Sequence, residues 1–121
     1  MPLVPDATTV HYLEIVTPDV DAVCATYERT HGVTFGTGDP ALGGARTAGL
    51  AGGGMVGVRP PLRDTEEPVV RPYVRVQDIK AAVDAAAESG AEVAVPPMKL
   101  EGHGTCAIVV QGGIDVGLWE L

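Results

Sequence analysis

The sequence predicts an α+β fold of two tandem β-α-β-β-β modules, and two observations carry that prediction. A strand-like phrase with a glycine in its interior occurs twice, as Gly53-Gly54-Met55-Val56-Gly57-Val58 and as Gly112-Gly113-Ile114-Asp115-Val116-Gly117-Leu118. Gly57 and Gly117 lie 60 positions apart in a chain of 121, which marks a duplication. A helical stripe also repeats. Val20, Val23, Cys24 and Tyr27 return 59 positions later as Ile79, Ala82, Val83 and Ala86.

Each element follows from local chemistry. Residues 1–8 read as a loose leader, and residues 10–16 are a β-rich run. Thr17-Pro18-Asp19 then starts a helix, with Thr17 as cap, Pro18 at the first turn, and Asp19 and Asp21 at the positive end. Gly32 closes the helix as a C′ glycine. Two short strands are expected at about 33–36 and 45–50, followed by the glycine-bearing strand. The second half repeats this plan. Residues 70–76 form a strand, with Pro72 near an edge or a strand start. Asp78 caps the second helix and Gly90 ends it. Strands follow at about 91–95 and 104–110, separated by Pro96-Pro97 and a loop over 98–103. Residues 60–69 are a polar, proline-rich linker between module one (9–59) and module two (70–121). The whole is one domain, because about 60 residues alone bury too little core.

Composition narrows the function. Hydrophobic residues are 45% of the chain and aromatics only 4%, so the core is aliphatic. A net charge of −8 disfavours nucleic acid and anionic lipid as partners. No run of 18 apolar residues spans a membrane, and residues 1–6 lack signal-peptide character, so a cytoplasmic location is expected. Cys24 and Cys106 fit no metal spacing and read as buried thiols. Gly52-Gly53-Gly54 opens no helix and precedes no lysine, so it is not a phosphate loop. Ser89 is the one serine and lies near a helix end, which removes serine nucleophile chemistry.

Four pieces of sequence point to a known family: Glu14-Ile15-Val16-Thr17-Pro18-Asp19-Val20-Asp21, Val76-Gln77-Asp78-Ile79, Val95-Pro96-Pro97-Met98 and Gly117-Leu118-Trp119. Over roughly residues 9–121 the chain resembles the vicinal oxygen chelate superfamily, which includes glyoxalases, bleomycin-resistance proteins and dioxygenases. The resemblance implies that each module curls its sheet into a half-cup. Helices pack outside and the inner face lines a cavity.

Metal-dependent members of that family place four ligands, usually His, Gln or Glu, on first and last strands. The corresponding positions here are Tyr12, Gly57, Arg71 and Gly117. Glycine has no donor and a guanidinium has no lone pair to give, so no metal or other cofactor is expected. His11 and Glu120 lie close to ligand positions, but strand alternation turns both to the helix side. A strand-edge histidine and a solvated glutamate are the plainer readings.

Alternation sends Tyr12 and Glu14, and then Arg71, Tyr73 and Arg75, to the cavity side. The two arginines are either a solvated edge or recognition groups for an anionic or carbonyl-rich ligand. Gly57 and Gly117 admit two readings: they free volume for an organic ligand, or they permit sheet curvature. Trp119 packs on the helix side or at a dimer seam. His103, between two glycines in the loop 98–104, offers a base near neutral pH.

The resemblance and the missing ligands together suggest binding of a small organic molecule in a metal-free cavity, as in drug-sequestering resistance proteins or secondary metabolism. The alternative is an enzyme of lyase, isomerase or hydrolase type. It would use Glu14 as general acid/base, with Tyr73 or His103 assisting and Arg75 holding a carbonyl or carboxylate; a metal-dependent version fits the residues less well. The resemblance also implies a homodimer.

Overall fold

The computed structural model describes residues 8–121, so the leader expected over residues 1–8 lies, except for Thr8, outside the described residues. The elements are β1 (Val10–Val16), α1 (Val20–His31), β2 (Gly38–Asp39), a 3-10 turn (Pro40–Leu42), β3 (Ala45–Gly49), β4 (Met55–Arg59), β5 (Val69–Arg75), α2 (Ile79–Glu88), β6 (Glu92–Leu100), β7 (Gly104–Gln111) and β8 (Ile114–Glu120). This is the expected α+β architecture, with the order β-α-β-β-β in each half. Among the described residues, no helix is long and apolar enough to cross a membrane.

The chain forms two compact units, one of residues 12–72 and one that joins the chain through His11 to Tyr73–Leu121. The division therefore cuts β1 and β5 and does not fall within the 60–69 linker.

In the 12–72 unit the strands are ordered β2-β3-β4-β1. β1 runs parallel to β4, with Glu14 beside Gly57 and Val16 beside Arg59, and β3 is antiparallel to β4. One face buries Ile15, Val56, Val58 and Ala48 against Cys24 and Phe35, with Leu13, Val20, Val23 and Tyr27 packed around them. Those helix positions are the predicted stripe. Gly32 ends α1 at φ 70°, its N–H donating to the Glu28 carbonyl at 3.0 Å. The start of α1 differs from expectation in detail. The Thr17 hydroxyl accepts from the Asp19 N–H at 3.0 Å, while Asp19, the N-cap residue, makes no side-chain cap.

The strand expected at 33–36 is absent, and two-residue β2 takes its place. Phe35 is buried, but its N–H donates to a Glu28 carboxylate oxygen at 2.9 Å, so the backbone is satisfied by a helix side chain.

In the other unit the order is β5-β8-β7-β6. β5 is parallel to β8, placing Tyr73 beside Gly117 and Arg75 beside Trp119. Ile79, Val83 and Ala107 form the core with Val76 and Leu118. Asp78 caps α2 as predicted, accepting from the Ala81 N–H at 3.0 Å. A second carboxylate joins it. Glu120 accepts from the Ile79 N–H at 2.8 Å, so this residue is a cap partner on the helix side and not a solvated terminus.

The second half also corrects the 98–103 loop. β6 continues from Glu92 through Pro96 and Pro97 to Leu100, with register shifts between Val93 and Val95 and between Val95 and Met98. Prolines donate no ladder bond, but β6 stands last in its sheet order and is bulged where they fall. The connection to β7 shrinks to Glu101-Gly102-His103, closed by a hydrogen bond from the His103 N–H to the Leu100 carbonyl at 2.9 Å.

Candidate functional site

Alternation on β1 and β4 sets the site in the 12–72 unit. Leu13, Ile15, Val56 and Val58 face α1, so Tyr12, Glu14, Gly57 and Arg59 share the opposite face. That is the predicted cavity side for Tyr12 and Glu14. The face is filled by charge. Glu14 and Arg59 are 7% and 6% exposed, and the Arg59 Nε–H donates to Glu14 Oε2 at 2.8 Å. Arg71 Nη1 donates to Glu14 Oε1 at 2.5 Å, its side chain 11% exposed. Arg71 is therefore not a solvated edge.

Glu66 completes the group from the linker, accepting from both terminal nitrogens of Arg59 at 3.0 and 2.7 Å. Two carboxylates thus balance two guanidiniums, which is what makes their burial tolerable. The Glu66 carboxyl is pulled down to about 2, chiefly by its hydrogen bonds from Arg59. In turn Glu66, then Glu14, hold Arg59 more firmly protonated than usual against the cost of burial. Burial, then the nearby Glu14 charge, push the Tyr12 phenol above its ordinary range and keep it protonated.

The two glycines have a reason that neither sequence reading supplied. A Cβ at Gly57 would meet the Tyr12 ring, with Cζ only 2.6 Å away. A Cβ at Gly117 would meet the Tyr73 ring, with Cε2 also at 2.6 Å. In each unit a tyrosine from the neighbouring strand occupies the space that a last-strand side chain would need. Volume is released, but the protein's own rings take it.

The 73–121 part of the second unit carries the aromatic version of this face. Leu118 packs toward α2, so Gly117 and Trp119 turn to the other side. Trp119 is therefore not on the helix side, one of the two placements expected for it. It is 1% exposed and meets Tyr73 edge-on, with ring centroids 5.6 Å apart. Its indole N–H donates to the His103 carbonyl at 3.0 Å. His11, expected on the helix side, lies instead against this ring, centroid to centroid 5.3 Å. Burial, then the charges of Arg75 and His103, lower the His11 pKa.

The predicted site residues thus gather in two groups. Tyr12, Glu14, Gly57 and Arg71 meet in one unit; Tyr73 and Gly117 meet in the other. There His103 touches Trp119 through its backbone, and Arg75 sits beside Trp119 in the strand register. Sequence reading missed Arg59 and Glu66. Arg59 was within reach, because it lies two residues beyond Gly57 on the same face, as Trp119 lies beyond Gly117. Glu66 carried no signal, since it sits in an irregular segment without periodicity.

The four positions that hold a divalent metal in the resembling family do not fit one here. Two are glycines covered by tyrosine rings, one is a buried phenol, and one is a guanidinium engaged with Glu14. Among the described residues, no three His, Cys, Asp or Glu side chains cluster as a metal site.

This architecture is the fold of the vicinal oxygen chelate (glyoxalase/bleomycin-resistance) superfamily, to which the chain's structural neighbours belong. A hypothetical protein from Bacillus halodurans C-125 matches with a TM-score of 0.74 at 14% identity, over 95% of each chain. Methylmalonyl-CoA epimerase from Mycobacterium tuberculosis matches at 0.70 and 16% identity, over 90% of this chain and 85% of that one. A variant of the Streptomyces coelicolor methylmalonyl-CoA epimerase, in complex with 2-nitronate-propionyl-CoA, matches at 0.67 and 18% identity, over 91% and 92%. At these identities the likeness is one of fold. No protein-family model matches the chain, and no curated protein matches it significantly.

Proposed function

We propose that this protein binds a small organic molecule without a metal ion. The observation that supports the reading is the conversion of all four ligand positions to internal packing: tyrosine over glycine twice, and an arginine bound to Glu14. Both oxygens of Glu14 already accept from guanidiniums, which suits an anchor better than a general acid/base. Sequestration of a drug or a secondary metabolite needs affinity and no turnover, so it fits these residues more closely than lyase, isomerase or hydrolase chemistry. Acyl-CoA esters belong among the first candidates, given the ligand bound to the Streptomyces coelicolor neighbour. In this reading the chain acts as one domain, in the cytoplasm, as a homodimer.

Two measurements test this. Elemental analysis of protein purified without chelator is expected to find no stoichiometric metal; one tightly held divalent ion per chain would overturn the reading. Native mass spectrometry against acyl-CoA esters and aromatic antibiotics is expected to show a saturable one-to-one adduct. Turnover of such a ligand, lost in Glu14→Gln with affinity unchanged, would make the protein an enzyme instead. Light scattering at the same time reports the dimer.

A further inference from the structure

One side chain holds down the segment between β4 and β5. Glu66 receives the parallel fork of Arg59, Nη1 at 3.0 Å and Nη2 at 2.7 Å, which is the geometry that matches guanidinium to carboxylate. The Leu62 backbone N–H gives Glu66 Oε1 a further hydrogen bond at 2.7 Å. Three donors therefore converge on one carboxylate, and that carboxylate belongs to a loop. The loop itself is a short turn, closed by the Glu66 N–H on the Arg63 carbonyl at 3.0 Å.

The donors and the acceptor differ in how firmly they are placed. Arg59 is fixed from behind, through Nε by Glu14, and its side chain is 7% exposed. The Glu66 side chain is 20% exposed. Beside it opens a groove of about 440 Å³ lined by Pro61, Leu62, Arg63, Asp64 and Glu66.

We propose that the outer fork of Arg59, with the Leu62 amide, is a carboxylate-binding site that the chain occupies with Glu66. The carboxylate of an organic ligand entering by this groove displaces Glu66 and releases the linker. This rests on the small-molecule reading above and names its ligand class. Exchange of one carboxylate for another leaves every donor satisfied and the two guanidiniums still balanced by two anions. What the ligand must overcome is the effective concentration of a tethered group, on the order of millimolar for a short flexible connection. Arg63 and Asp64 both line the groove and offset each other in charge, so the fork of Arg59 with the Leu62 amide is what selects a carboxylate.

The test is rescue from solution. Glu66→Ala is expected to unfold at a lower temperature than the native protein. Sodium acetate should restore it saturably, by roughly 4 °C at ten times its dissociation constant, while sodium chloride at equal ionic strength does not. The Leu62 amide resonance should move with acetate in the variant. Should Glu66→Ala fail to fold, Glu66→Gln serves with the same readouts. In the native protein, malonate at roughly 0.1 M, well above that effective concentration, should shift the Leu62 and Glu66 amides together. Equal responses to acetate and chloride, or a native Leu62 amide unmoved by malonate, overturn the proposal. Ligands found in the screen above that leave Leu62 unmoved also overturn it, while small-molecule binding stands. If acetate and malonate act as expected but no organic ligand binds, the site stands and the broader binding reading falls.

Discussion

Glu14 and Arg59 form a buried ion pair, 2.8 Å between oxygen and nitrogen, at positions whose counterparts in the other half are Tyr73 and Trp119, an aromatic pair. The strand registers agree: Glu14 beside Gly57 in one parallel pair, Tyr73 beside Gly117 in the other. The duplication has kept its backbone geometry and diverged in chemistry. One face is held by compensated charge, the other by ring packing.

Removing the charge of Glu14 should expose how much that pair matters. Glu14→Gln leaves Arg59 and Arg71 facing a neutral amide in a buried setting. A loss of about 3–5 kcal/mol in unfolding free energy is expected, measured by urea denaturation. A loss below about 1 kcal/mol would show that water reaches this face and screens the pair.

The tyrosine-over-glycine contacts make a separate prediction. Gly57→Ala and Gly117→Ala each drive a methyl group into a ring, and each should cost about 1–3 kcal/mol by overpacking. Combining Gly57→Ala with Tyr12→Ala should cost clearly less than the two single changes added together. Additive costs in that double-mutant cycle would separate Gly57 from Tyr12.

Acid should loosen the linker first. Glu66 has its pKa lowered to about 2 in the folded protein, against 4.5 as the ordinary value. A depressed carboxylate stabilises fully above its unfolded pKa and loses that contribution as pH falls through the folded one. The stabilisation from Glu66 is therefore expected to be intact above about pH 4.5 and gone near pH 2. Glu66→Gln should flatten this part of the stability–pH curve; an unchanged slope would assign the acid sensitivity elsewhere.

Trp119, the single tryptophan, provides an optical readout. Buried at 1% exposure, it should emit at short wavelength in the native state. His11 beside it has a lowered pKa, so at pH 7 the imidazole is neutral. Quenching by a protonated imidazole should therefore titrate with a midpoint below the ordinary histidine value. By the same sign, the folded state resists a proton that the unfolded chain accepts, so stability is full above 6.5 and falls with acid. His11→Phe should remove the fluorescence step.

Much of the fold was legible because it depends on short-range rules. The stripe from Val20 to Tyr27, the αL stop at Gly32 and the Asp78 cap are each set by a few neighbouring residues, and each is present. Where the reading slipped, a tertiary partner had taken over a local role. Phe35 gave up a strand because Glu28 satisfied its amide, and β6 ran through two prolines because it needs ladder bonds on one side only. Glu120 looked like a fraying end until α2 supplied an unsatisfied N–H.

The sequence by itself determined the duplication, the order of elements and the two glycines and one arginine that cannot donate to a metal at three of the four ligand positions of the resembling family. Periodicity, capping and donor chemistry are properties of residue type and spacing. Only the tertiary structure decided what Gly57 and Gly117 are for, and that Arg59 and Glu66 join Glu14 and Arg71. Which ring fills a gap, and which carboxylate meets which guanidinium, depends on residues brought together from distant parts of the chain: Glu14 meets Arg59 across 45 positions and Arg71 across 57.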